Sequence, residues 1–130
     1  MWNYVDNTAV MEISIKNTLV QESSHDRIFL AVLDTGYSGF LYIPERLFRK
    51  LGFDKLRTKK LKATLADGGS FGLSGAYGSI SFPSLENLTV DGIVETSKGA
   101  REILIGMEGI RSLALELNCC RQTLNVASCV

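Results

Sequence analysis

The sequence predicts an all-β fold with two short helices, and three observations carry that prediction. Apolar and polar residues alternate with a period of two in several places. The apolar runs are too short for buried helices. Turn signals rich in Gly, Asp and Ser separate them.

The first alternation is Val10–Lys16. Val10, Glu12, Ser14 and Lys16 lie on one side, and Met11, Ile13 and Ile15 on the other, as in a half-buried strand. Residues 17–26 are polar and loop-like, with Leu19 and Val20 as a possible extension of a hairpin arm. Residues 27–33 form a dense apolar run of the length of a central strand, and it stops at Asp34-Thr35-Gly36. Phe40-Leu41-Tyr42-Ile43 follows. Pro44 then opens a helix in which Leu47, Phe48 and Leu51 share a face and Gly52 ends the turn. Alternation returns at Leu61, Ala63 and Leu65. Asp67-Gly68-Gly69-Ser70 is a strong hairpin turn signal. Further strands are expected at residues 77–82, 88–95 and 102–105. A second helix is expected at residues 107–113, and a terminal hairpin at residues 115–118 and 123–126.

The chain of 130 residues is read as one domain, residues 1–130, of globular composition: 45% hydrophobic and 22% charged. Fourteen basic residues balance fourteen acidic ones. A whole-chain field that would draw nucleic acid is not expected, and no apolar stretch has the length of a membrane span. With no leader-like segment, a soluble cytoplasmic protein is the expectation. Cys119, Cys120 and Cys129 read as reduced thiols near the C-terminus. With His25 the only histidine, neither a metal site nor a cofactor is expected. The basic run Lys55, Arg57, Lys59, Lys60 and Lys62 reads as a solvated connection or a charged edge strand. Trp2, Tyr4, Phe48 and Phe53 read as core residues.

Two motifs bear on chemistry. An apolar strand delivers Asp34 to a tight turn, where Gly36 lets the backbone bend and a second apolar strand leads away. A carboxylate so placed serves catalysis, or it closes an Asx-type turn on its own backbone. The triplet arises by chance in roughly one chain in forty of this length, so it does not decide alone. Ile103-Leu104-Ile105-Gly106 is the second motif, an apolar strand ending at Gly before a helix.

Taken together, Val32-Leu33-Asp34-Thr35-Gly36, the turn at Asp67-Gly68-Gly69-Ser70 and Leu104-Ile105-Gly106 resemble the retropepsin-like aspartic proteases, prokaryotic single-domain members included. The resemblance spans roughly residues 11–126. It implies a single retropepsin-like lobe whose active site is completed by homodimerisation. Asp34 would be the catalytic carboxyl, Thr35 would brace the paired turns, and Gly36 would admit the substrate backbone. Tyr37 and Ser38 would border the substrate, and Asp67, Gly68, Gly69 and Ser70 would form the flap over it. The family usually has Ala or Ser where this chain has Tyr37. A phenol there would shrink a pocket or supply a hydrogen bond.

The implied chemistry needs two carboxyls around one water, one ionised and one protonated. Two like charges about 3 Å apart do not both ionise cheaply, so the pair shares a proton. This chain has one Asp-Thr-Gly, so the partner is expected to be a second copy. The expected function is aspartic endopeptidase activity on peptide or protein substrates. The rival is a non-catalytic relative that dimerises and binds peptides.

Overall fold

A computed structural model of the chain describes residues 2–17, 27–56, 59–64 and 70–129. Ten strands and two short helices are present among them: β1 (Trp2–Asn3), β2 (Val10–Lys16), β3 (Ile28–Leu33), β4 (Leu41–Tyr42), α1 (Glu45–Lys50), β5 (Lys59–Thr64), β6 (Ser70–Phe82), β7 (Leu88–Thr96), β8 (Leu104–Ile105), α2 (Met107–Ile110), β9 (Leu113–Asn118) and β10 (Thr123–Ser128). The all-β expectation holds, with two short helices.

Seven strands form one sheet in the order β2-β3-β8-β4-β7-β6-β5, and a further β2–β6 pairing closes six of them on themselves. Closure removes the open edges of those six strands and leaves β5 as the edge. The expected basic connection therefore contains a true edge strand. β6 is long enough to serve two partners. Its first half pairs with β5 from Ser70 to Gly75, and its second half pairs with β7 from Ser74 to Phe82. The β5–β6 register, Thr64 opposite Ser70, brackets the expected turn, but Leu65, Asp67, Gly68 and Gly69 lie outside the described residues. His25 and the proposed hairpin arm at Leu19 and Val20 lie outside them as well.

The chain ends build a second sheet, β1-β10-β9. The expected terminal hairpin is there, and Trp2 pairs with Leu124 to add a third strand. Two residues are too few to show a period, so β1 carries no sequence signal.

The core is apolar and tight. Met11, Ile13, Phe40, Leu41, Ile43, Phe53, Ile80, Phe82, Val94, Ile105 and Leu124 are fully buried. Phe48 and Phe53 pack ring on ring at 5.4 Å, which fixes α1 and the turn after it on the barrel. Trp2 and Tyr4 pack against the same core. α1 starts after Pro44, whose carbonyl accepts the Phe48 N–H at 2.9 Å, and ends at Gly52 in the left-handed region, φ 79°. Strand β8 starts at Leu104 rather than at 102, and helix α2 stops at Ile110 rather than at 113, because Leu113 already begins β9.

β3 is the central strand expected at residues 27–33, and its two faces differ. It is an interior strand of the sheet, yet Ile28 is 47% and Leu30 53% exposed. Only the face carrying Phe29, Ala31 and Leu33 turns to the core, with Ala31 fully buried. A dense apolar run did not mean burial on both sides.

Among the described residues the buried side-chain polar atoms have hydrogen-bond partners. The Thr96 hydroxyl donates to the Ile43 carbonyl at 2.8 Å and ties the end of β7 to the exit of β4. Thr96→Val keeps the shape and removes the donor. It is expected to cost about 1–2 kcal/mol, read as a lower urea midpoint at unchanged slope.

Candidate active site

The expected Asp34 turn sits at the C-terminal end of β3, where β3 runs parallel to β8. The pairing Val32 to Leu104 and Leu33 to Ile105 brings both sequence motifs side by side, and β4 lies antiparallel on the other flank of β8. The ladder continues past the strands. Val32 N–H donates to Ile103 at 2.7 Å, and Asp34 N–H donates to the Ile105 carbonyl at 3.1 Å.

Residues 34–37 form a β-turn, in which the Tyr37 N–H donates to the Asp34 carbonyl at 3.2 Å. Asp34 is half-buried. Its Oδ1 accepts the Gly36 N–H at 3.0 Å, so the Asx-type contact weighed from sequence is present. Among the described residues Oδ2 has no partner. Thr35, Gly36 and Ser38 are exposed, so the hydroxyls of Thr35 and Ser38 sit at the open face of the turn. Ser70 begins β6, paired with Thr64 at the turn end of the β5–β6 hairpin.

The turn after β8 interlocks with this loop. Gly106 N–H donates to Phe40 at 3.1 Å, Met107 N–H to Tyr37 at 2.9 Å and Glu108 N–H to Gly39 at 3.1 Å. A Cβ on Gly106 would lie 2.3 Å from the Gly39 carbonyl oxygen and 2.6 Å from that of Tyr37. Only glycine fits between two backbones so close. The sequence signal of an apolar pair before Gly thus marks the place where two loops touch.

Tyr37 points its phenol inward. The hydroxyl donates to Oε1 of Glu95, a buried carboxyl on β7, and the ring meets Tyr42 edge-on at 6.2 Å. Burial, then the hydrogen bond and charge of Glu95, push the phenol far above its ordinary range, so it stays a donor. Tyr42 in turn hydrogen-bonds Ser97. Glu95 was not found from sequence. It lies 58 residues from Tyr37, and no local period links them.

Among the described residues no three His, Cys, Asp or Glu side chains cluster as a metal site would require. Two grooves among the described residues lie elsewhere than at Asp34. One of about 460 Å³ lies between Arg27 and Phe29 and the start of α1, and one of about 380 Å³ runs along the β9–β10 hairpin. Cys119, Cys120 and Cys129 are free and exposed, away from these residues in sequence and sheet. No described helix is long and apolar enough to cross a membrane.

No family model matches the chain. A protein of Archaeoglobus fulgidus, described as uncharacterized, is 35% identical over 127 residues, which cover 97% of this chain and 98% of that protein. Among solved structures, a retropepsin-like aspartic protease from Rickettsia conorii superposes with a TM-score of 0.59 at 15% identity, over 95% of this chain and 92% of that one. At that identity the likeness carries the fold, and the fold is retropepsin-like.

Proposed function

This chain belongs to one family with the Archaeoglobus fulgidus protein and has the retropepsin-like fold, and from that premise we propose that it is an aspartic endopeptidase acting as a homodimer. One observation carries the reading. Asp34 ends a strand that is locked in parallel to the apolar strand before Gly106, and the turn holding it presents Thr35 and Gly36 to solvent.

In the proposed dimer a two-fold axis passes beside the two Asp34 turns. One carboxylate takes a proton from a water between them, and the water oxygen attacks the peptide carbonyl carbon. The other carboxyl gives its proton to the carbonyl oxygen. The tetrahedral diol then collapses, the C–N bond breaks, and the amine leaves with a proton from the dyad. Thr35 would brace one turn against the other across the axis. The β5–β6 hairpin would act as the flap, and the peptide would lie extended beneath it, held by backbone hydrogen bonds.

A second reading has one observation in its favour. Tyr37 stands where the family usually has a small residue, and peptide binding without turnover would tolerate it. Sedimentation and a peptide-hydrolysis assay near pH 5, with and without a statine peptide, separate the two. The endopeptidase reading expects a dimer, cleavage, inhibition and a raised melting temperature with the statine. A monomer at assay concentration, or a dimer that binds peptides and leaves them intact, would overturn it.

A further inference from the structure

The chain buries a carboxyl directly under the candidate catalytic loop and gives it a neutral donor. Glu95 is 8% exposed, and its backbone carbonyl accepts the Ile43 N–H at 2.9 Å, so β7 holds it firmly. Among the described residues no Lys, Arg or His pairs with it. A buried carboxyl without a cation is costly unless hydrogen-bonded, and the Tyr37 hydroxyl supplies that bond.

The space around the pair is equally specific. A Cβ on Gly39 would lie 2.4 Å from the Tyr37 hydroxyl oxygen and 2.6 Å from Glu95 Oε1. A Cβ on Gly106 would lie 2.6 Å from Tyr37 Cδ2. The phenol is therefore threaded between two glycines, one on the Asp34 loop and one on the turn after β8. The Tyr37 carbonyl accepts the Met107 N–H, and the neighbouring Gly39 carbonyl accepts that of Glu108.

We propose that Tyr37 and Glu95 form a brace that anchors the Asp34 loop to β7 and to the Gly106 turn, making Tyr37 a positioning residue that acts through backbone. The bulky residue three places after Asp34 is then not a pocket wall. It is a strut that a small residue would not provide, with Gly39 and Gly106 leaving it room. The catalytic half of this inference rests on the endopeptidase reading, whereas the brace itself does not.

The test compares Tyr37→Phe and Glu95→Gln with the unaltered protein by amide hydrogen exchange and by peptide hydrolysis. Loss of one hydrogen bond to a carboxyl is expected to speed exchange at Met107 and Glu108 about ten-fold in Tyr37→Phe, with the centre of β6 unchanged. Glu95→Gln keeps an acceptor oxygen and is expected to fall between the two. In the hydrolysis assay kcat is expected to drop about ten-fold for Tyr37→Phe at unchanged KM. Unaltered exchange at Met107 and Glu108 would overturn the brace. A raised KM with kcat preserved would overturn the positioning role and make Tyr37 a substrate contact. Exchange is read without turnover, so an unaltered protein that cleaves nothing sinks the endopeptidase reading and leaves the brace to stand or fall by the exchange data.

Discussion

Asp34→Asn is expected to lower peptide hydrolysis by about 10⁴-fold or to the detection limit, the upper end of what a general acid–base group contributes. In a homodimer the substitution removes both carboxyls at once, so no residual acid or base remains at the water. The fold should not suffer. Asp34 is half-buried, and its described contact is Oδ1 accepting the Gly36 N–H, which an amide oxygen also accepts. Its backbone N–H still reaches Ile105. The melting temperature is therefore expected within about 2 °C of the parent, since a surface-facing isosteric change falls within about ±0.5 kcal/mol. Purified Asp34→Asn protein that cleaves at the parent rate would remove Asp34 from the chemistry.

Gly106→Ala is expected to have the largest effect on stability, about 3 kcal/mol or more. The new methyl would meet the Gly39 oxygen at 2.3 Å and the Tyr37 oxygen at 2.6 Å, both backbone atoms with no rotamer to escape into. Relief requires the 34–39 loop to part from the turn after β8. That separation breaks the Met107 and Glu108 hydrogen bonds and displaces Asp34. Gly72→Ala is the control, because a Cβ there meets nothing within 4 Å. Urea unfolding of the three proteins gives the comparison. A Gly106→Ala midpoint close to that of Gly72→Ala would show that the two loops are not wedged.

Much of this architecture was legible because simple periods reported it. The alternation of Val10–Lys16 marked β2, and the abrupt end of the apolar run at Leu33 marked the turn that holds Asp34. Leu104-Ile105-Gly106 was readable as a strand meeting a turn, and the structure pairs it with β3 in parallel. Other parts were hidden for physical reasons. β6 runs from Ser70, but Gly72, Gly75 and Gly78 remove the side chains that would show alternation, so the strand is expected from sequence only at residues 77–82. The pairing of Tyr37 with Glu95 is a long-range contact between a loop and a strand end, and neither residue carries a local mark of it. Ile28 and Leu30 show the converse, apolar residues whose hydrophobicity overstated their burial.

The continuity of β6 sets the mechanics of the hairpin that β5 shares with it. The same thirteen-residue strand forms one arm of the hairpin and one stave of the closed barrel, with no joint between. Pairing passes from β5 to β7 across Ser74 and Gly75, so any lifting of the hairpin must flex the strand there like a cantilever leaving its wall. Gly75 carries no side chain to stiffen that point. The bend is then confined to two residues, and the barrel behind them need not deform.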